Sequence, residues 1–260
     1  MIGKNTIKLI KSLSEKKYRQ KEKLFLVEGD KNVKEVLASD FKIEQLFATH
    51  SFLEFASNLE KAKQISEVTR EEISKASHLK SPQNALALCF LPEHKSLPEE
   101  MDSLSLFLDE IQDPGNLGTI IRICDWFGIK QLFCSPACAD LFNPKVIQAT
   151  MGSFCRVKTW NTEFLPVSQI ARKSGSIITG AFLEGENIFT EKLPEKTLLV
   201  MGNEGNGISA DTAALIQKKI KIPVFSQEDT KAESLNVAIA TAIICSELRR
   251  QTVYPGLLKV

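Results

Sequence analysis

Leu198–Ser209 reads LLVMGNEGNGIS, an unbroken apolar run that opens into a glycine-rich loop before a helix-like stretch. Two further stretches repeat that junction, Asp113–Gly128 (DPGNLGTIIRICDWFG) and Lys221–Ala238 (KIPVFSQEDTKAESLNVA). In an open α/β sheet such junctions lie at the carboxyl ends of strands, where ligands bind. Arg, Glu, Ser and Asn side chains stand at these junctions, so the region reads as a site and not only as a set of turns.

From Leu104 onward the pattern is strand, loop, helix, repeated. Strands are predicted at 104–109, 130–134, 176–182, 197–201 and 219–223, with helices near 117–127, 144–151, 165–173, 208–218 and 234–250. Apolar strands without polar alternation, separated by helices, predict an α/β fold with a parallel sheet covered on both faces. Ahead of it, residues 24–90 alternate short strands and helices, with Asp30 as a helix cap and Thr69 with Glu72 as a capping box. This smaller α/β region carries no catalytic constellation. The expected division is a first domain at 1–95, a linker at 96–103 within the Pro- and acid-rich stretch Pro92–Ser103, and a second domain at 104–260.

Composition narrows the function classes. A chain of 260 residues, 43% hydrophobic and 25% charged, is ordinary for a soluble globular protein. The longest uncharged helical stretch, Ser234–Ser246, is shorter than the roughly 20 residues of a membrane span. Lys4, Lys8 and Lys11 interrupt the N-terminus, so no signal-peptide core is expected and the protein is placed in the cytoplasm. Cysteines 89, 124, 134, 138, 155 and 245 lie mostly in apolar runs, which suits buried, reduced thiols. Cys134 and Cys138 have the spacing of a metal pair, but His50, His78 and His94 all lie in the other half and no second pair completes a set, so no metal is expected. Net charge is only +1, yet residues 1–23 hold eight Lys or Arg against Glu15 and Glu22. Such a run is either a solvated helix face or a nucleic-acid contact.

The common nucleotide folds fail. GNEGNG (202–207) lacks the Lys-Ser/Thr of a phosphate-binding P-loop, and it is not the dinucleotide fingerprint. No Ser, His and Asp arrangement supports nucleophilic hydrolysis.

Taken together, the three stretches resemble the motifs of the SpoU–TrmH family of RNA ribose 2′-O-methyltransferases, of the SPOUT class. The resemblance rests on Asn116-Leu117-Gly118 with Arg122, on Gly202, Glu204, Gly205 and Gly207, and on Ile222-Pro223 with Ser234–Val237. Asn143–Ser153 looks like the family's intervening helix, and Phe25–Leu37 (FLVEGDKNVKEVL) resembles a substrate-binding extension found in some members. Cys124 and Trp126 depart from the smaller or more polar residues common there. The resemblance implies a deep trefoil knot in the second domain, a homodimer with its active site near the subunit interface, and S-adenosylmethionine as cofactor. It implies methyl transfer to a ribose 2′-hydroxyl of structured RNA, large-subunit ribosomal RNA in preference to tRNA. Base methylation and a catalytically inactive RNA-binding factor are the rival readings. The Asn116/Arg122 pair argues against the first, and the intact Arg122, Glu204, Ser234 and Asn236 against the second.

On this reading Asn116, Arg122, Glu204, Ser234 and Asn236 form the catalytic set. Thr179, Gly180, Gly202, Gly205, Ile222 and Leu235 hold the cofactor, and Lys16, Lys17, Arg19, Lys21 and Lys23 hold RNA. Asn116 is expected on the loop before its helix, because six helical positions, about 240°, would separate it from Arg122. Arg122 is expected in buried surroundings, being flanked by Ile120, Ile121, Ile123 and Cys124. Glu204 is expected to orient Arg122 or Asn116. Gly202 and Gly205 are expected to let backbone amides approach the cofactor, and Ser234 and Asn236 to cap the last helix or touch ligand.

Overall fold

The computed structural model describes residues 1–93, 96–226, 228 and 233–253. The chain divides into two compact units, 1–94 with 140–156, and 95–139 with 157–260. Residues 227 and 229–232, inside the third motif stretch, and residues 94 and 95, beside the expected linker, lie outside the described residues.

The first unit holds α1 (Lys4–Ser12), α2 (Lys16–Glu22), β1 (Leu24–Glu28), α3 (Asp30–Leu37), β2 (Ile43–Ala48), α4 (His50–Phe55), β3 (Ala62–Glu67), α5 (Arg70–Ala76) and β4 (Ala85–Phe90). Its sheet runs β1-β4-β2-β3, antiparallel except between β2 and β3. Ile10 and Leu13 pack with Leu26, Leu88 and Ile73 into one core, so Lys4, Lys8 and Lys11 form the polar side of an amphipathic α1. The Thr69/Glu72 capping box forms as expected. Asp30 does not cap: Gly29, at φ 92°, precedes α3, and the Asp30 carboxylate accepts from Asn84 N and Nδ2, both at 2.8 Å.

One segment crosses the division expected from the sequence. Residues 140–156, with α7 (Pro144–Thr150), pack with the first unit, although the strands on either side belong to the second. Val146, Ile147 and Phe154 are buried, and Phe142 and Phe154 stack around Phe25 at centroid distances of 4.7 and 6.2 Å. Asp140 pairs with Arg19 at 2.5 Å. Sequence proximity to the strand at 131–134 hid this, because nothing local records which sheet an apolar helix covers.

The second unit comprises β5 (Leu104–Leu108), α6 (Pro114–Trp126), β6 (Gln131–Cys134), β7 (Lys158–Asn161), α8 (Phe164–Lys173), β8 (Ile177–Asn187), β9 (Thr197–Met201), α9 (Ala210–Ala213), β10 (Lys218–Lys221) and α10 (Val237–Val253). The sheet runs β10-β8-β9-β5-β6-β7 and every pairing is parallel. The central strands β5 and β9 are buried at every position, which explains apolar runs interrupted only by Ser105 and opened by Thr197. β7 has no such run because it is an edge strand with two exposed positions, and sequence periodicity misses it. The helix expected over 208–218 shrinks to α9, because Gln217 already joins β8 through Ile178 O at 2.9 Å. β8 runs on to Asn187 around a register shift against β10. Among the described residues, no helix is long and apolar enough to cross a membrane.

None of the six cysteines is in a disulfide, and no group of three or more metal-ligating side chains assembles among the described residues. Cys138 differs from the rest. A hydrogen bond with Cys134 leads the causes that hold its thiol down to about 7, joined by Ser135 and by the Ile111 amide, which donates to Sγ at 3.3 Å. Burial instead pushes Cys89, Cys124 and Cys245 up. Since the thiolate is the nucleophile, Cys138 should alkylate first, at a rate that climbs through about pH 7 and not through the ordinary thiol range. Iodoacetamide labelling across pH, read by peptide mass spectrometry, checks this. A midpoint above about pH 8.5, the ordinary thiol value, or preferential labelling of Cys89 would contradict it.

Candidate functional site

Motif residues from three separate loops meet at Asn116. Asp113 Oδ1 accepts from Asn116 N at 2.8 Å and Pro114 takes the first helical position, so α6 begins three residues before 117. Asn116 therefore sits in the first turn of the helix and not on the loop before it. Its Nδ2 donates to Glu204 Oε1, and its Oδ1 accepts from Asn236 Nδ2 at 2.9 Å. Asn236 Oδ1 in turn accepts from Ala238 N at 3.0 Å and Ile239 N at 3.3 Å, capping α10. Each group has one consistent role. A carboxylate only accepts, so Asn116 must turn its amide nitrogen to Glu204 and its oxygen to Asn236. Asn236 must then donate, which leaves its oxygen for the helix. The capping reading of Asn236 holds, and Glu204 meets Asn116, one of the two partners expected for it.

Arg122 lies elsewhere on α6. Leu117, Gly118, Ile120, Ile121 and Cys124 form the buried face, whereas Thr119, Arg122 and Trp126 share the exposed one. The expectation of buried surroundings is corrected by helix geometry: at about 100° per residue, apolar neighbours at ±1 turn to the sides and do not cover the residue between them. Arg122 has no hydrogen bond or ion pair among the described residues, so its five donors face outward. Ser234 is likewise exposed without a partner among them.

The glycines behave differently from one another. A Cβ on Gly202 would stand 2.3 Å from Gly207 C and 2.4 Å from Ile208 N, so the loop's own backbone demands glycine there. Gly207 has φ 71°, a left-handed conformation. At Gly205 a Cβ would meet only Asn203 Oδ1, at 3.5 Å. The Gly205 amide, expected to face the cofactor, donates instead to Asn203 Oδ1 at 2.8 Å. Thr179 and Gly180 are buried inside β8, paired with β9 on one side and β10 on the other. A Cβ on Gly180 would meet Phe182 Cε2 at 2.7 Å, so close packing favours glycine there.

Ile222 is half-buried, and Leu235 is exposed, as are Val224 and Phe225 in the same loop. These apolar residues, together with the polar groups of the three loops, suit a ligand with a flat apolar base and a charged end. S-adenosylmethionine has that character. A separate cleft of about 660 Å³ at the ends of β5 and β6 is lined by Ser209 but by no other residue of the three stretches. Its walls include Asp109, Glu110, Glu163 and Asp211, which would repel RNA phosphates, so the three-loop meeting point is the better candidate.

Of the expected RNA contacts, Lys16, Lys17, Lys21 and Lys23 are exposed. Arg19 is not. Its guanidinium is 2% exposed and donates to Leu13 O at 2.7 Å, to Ser14 O at 2.9 Å and to Asp140. Those bonds occupy the donors a phosphate would need, and Arg19 is a structural tie.

Sequence reading misses Asn203, the variable position between Gly202 and Glu204. Its Oδ1 accepts from the Gly205 and Asn206 amides at 2.8 and 3.1 Å, and its Nδ2 donates to Glu110 O at 2.8 Å. The one signal is an Asn beside a glycine loop, where side-chain turns are common.

Comparison with known proteins finds matches to both parts of the chain. Residues 103–246 match the model of the SpoU rRNA Methylase family, and residues 4–87 match the MRM3-like substrate binding domain. The 23S rRNA (guanosine(2553)-2′-O)-methyltransferase RlmP of Bacillus subtilis is 31% identical over 92% of this chain and 94% of its own length. A TrmH-family structure from Porphyromonas gingivalis superposes with a TM-score of 0.86 at 39% identity, covering 96% of this chain and 99% of the other. An AdoMet-bound rRNA methyltransferase from Sinorhizobium meliloti gives 0.83 at 28% identity, with 95% of each chain covered.

Proposed function

This chain belongs to the SpoU rRNA Methylase family, and we propose from that premise that the Asn116–Glu204–Asn236 meeting point is where it methylates RNA. The protein is an S-adenosylmethionine-dependent RNA 2′-O-ribose methyltransferase acting on ribosomal RNA. The single observation that carries the site assignment is the directed hydrogen-bond chain joining all three motif loops.

S-adenosylmethionine supplies an electrophilic methyl group on a sulfonium. The chain's own residues do the rest. Ile222 and Leu235 offer apolar walls to the adenine, and the missing Cβ at Gly205 leaves room for close approach. Arg122, always protonated, cannot act as a base. Its planar fork holds an RNA phosphate and stabilises the developing 2′-alkoxide, while the proton leaves to phosphate or water. Asn116, Glu204 and Asn236 keep the three loops in register, and Ser234 faces the substrate side. Lys16, Lys17, Lys21 and Lys23 grip phosphates without reading sequence.

The same reading includes a homodimer, a knotted second unit and a cytoplasmic setting. Support for the dimer comes from exposed Trp126 and Ile239 on α6 and α10, two helices that pack side by side. The unbridged cysteines suit a reducing compartment. The passage of the chain from edge strand β10 to α10, which packs on α6 beside the sheet centre, is consistent with a knot.

Mass spectrometry of ribosomal RNA nucleosides, from cells with and without the protein, tests the function. One 2′-O-methylated nucleoside should vanish in its absence. No change in any 2′-O-methyl nucleoside would defeat the reading.

The glycine geometry gives a second test. Gly202→Ala should cost nearly all cofactor affinity, on the order of 100-fold, by forcing the loop backbone apart. Gly205→Ala fits the loop itself, so any loss there reports the ligand's own approach. Calorimetric titration with S-adenosylmethionine measures both, and parental affinity in Gly202→Ala would refute the loop argument.

A further inference from the structure

We propose that Asn203 is a positioning residue for methyl transfer, acting through Glu204. The proposal rests on the site assigned above. Asn203 uses both ends of its side chain and both ends of its backbone. Its backbone N–H and C=O exchange hydrogen bonds with Gly207, both at 2.9 Å, closing the loop into a small arch. Inside the arch, Oδ1 takes the Gly205 and Asn206 amides. Outside it, Nδ2 reaches Glu110 O, in the loop that leads to the Asp113 cap of α6. Glu204 sits at the crown of this arch, one residue on.

The anchor at Glu110 is itself firmly held. Glu110 has φ 59°, unusual for a residue with a side chain, and its amide donates to Ser135 Oγ at 2.9 Å. The far end of the arch is pinned in parallel, since Ser209 N donates to Asp109 Oδ2 at 2.9 Å. Motif loops one and two are thus tied at their bases before Glu204 and Asn116 meet at their tips. The tie fixes where the Glu204 carboxylate stands, and so which way Asn116 and then Asn236 must turn. Aspartate retains the two acceptor bonds but cannot donate to Glu110 O, and alanine loses all three side-chain bonds.

A double-mutant cycle in the full-length protein tests this, with methyl transfer measured at saturating S-adenosylmethionine. Asn203→Ala is expected to lower kcat about 10-fold or more, and Asn203→Asp by less, while thermal unfolding moves by only a few degrees. In a Glu204→Ala background, Asn203→Ala should cost less than about 2-fold further, because the acceptor it positions is already gone. Full additivity would overturn the proposal, and so would a parental rate for Asn203→Ala. A parental rate for Glu204→Ala alone would overturn the site assignment and this proposal together, whereas additivity overturns this proposal alone. Should Asn203→Ala not fold, Asn203→Asp carries the same cycle.

Discussion

Arg122→Ala should lose methyl transfer by a factor on the order of 10²–10³ while S-adenosylmethionine still binds, since a single lost transition-state donor commonly costs that much. The expectation follows from where Arg122 stands. It shares the exposed face of α6 with Thr119 and Trp126 and holds no partner among the described residues, so truncating it leaves no buried carboxylate orphaned and no cavity behind. Unfolding temperature should therefore barely move, and the loss should fall on the chemical step. Arg122→Lys separates charge from geometry. An ammonium keeps the charge but not the planar, two-pronged donor set, so it should recover little of the rate. Single-turnover methylation of ribosomal RNA, beside calorimetry of cofactor binding, reads both quantities. Near-parental transfer by the Lys variant would discard the bidentate grip on phosphate, and loss of cofactor binding in the Ala variant would place Arg122 in the wrong half of the site.

The parallel sheet is legible in the sequence because β5, β6 and β9 are buried at every position, so that β5 and β9 carry apolar runs with little interruption. β7 is invisible for the opposite reason: an edge strand with exposed Lys158 and Asn161 carries no such run. At the site, residue types and spacing name Asn116, Glu204 and Asn236, but not their pairing, which depends on side-chain direction at three loop ends. The exposure of Arg122 is decided by the helical period, which its flanking isoleucines disguise. Thr179 and Gly180 fall inside the strand expected over 176–182, and β8 continues past it to Asn187, so burial between β9 and β10 surrounds both. Arg19 stands within a run of exposed lysines, and only the fold reveals that Asp140, 121 positions away, draws it inward.

The partner of Arg19 also changes what a truncation can mean. Removing residues 1–94 should not leave a clean catalytic fragment, although the basic cluster and the cofactor motifs lie far apart in sequence. Segment 140–156 stays behind, stripped of the β1 surface it covers. Val146, Ile147 and Phe154 would become exposed, and at roughly 2 kcal/mol for each side chain the cost is near 6 kcal/mol. That is a large share of the roughly 5–15 kcal/mol typical of a whole domain. Asp140 would lose its guanidinium as well. The truncated protein is expected to aggregate or to unfold far below the parent temperature, as size-exclusion chromatography and differential scanning calorimetry would record. A monodisperse fragment with parental stability would mean that the segment refolds by itself. Intact protein with Lys16, Lys17, Lys21 and Lys23 all changed to Ala tests RNA binding without that damage, because all four are exposed. Its binding should weaken, and the slope of log affinity against log salt should flatten by about 3 units, near 0.7–0.9 for each phosphate that a lysine no longer neutralises. Arg19→Ala should instead lower stability, by about 3–5 kcal/mol for breaking a buried pair, and leave the salt slope unchanged. If Arg19→Ala flattened the slope as the lysine changes do, the assignment of Arg19 as a structural tie would be wrong.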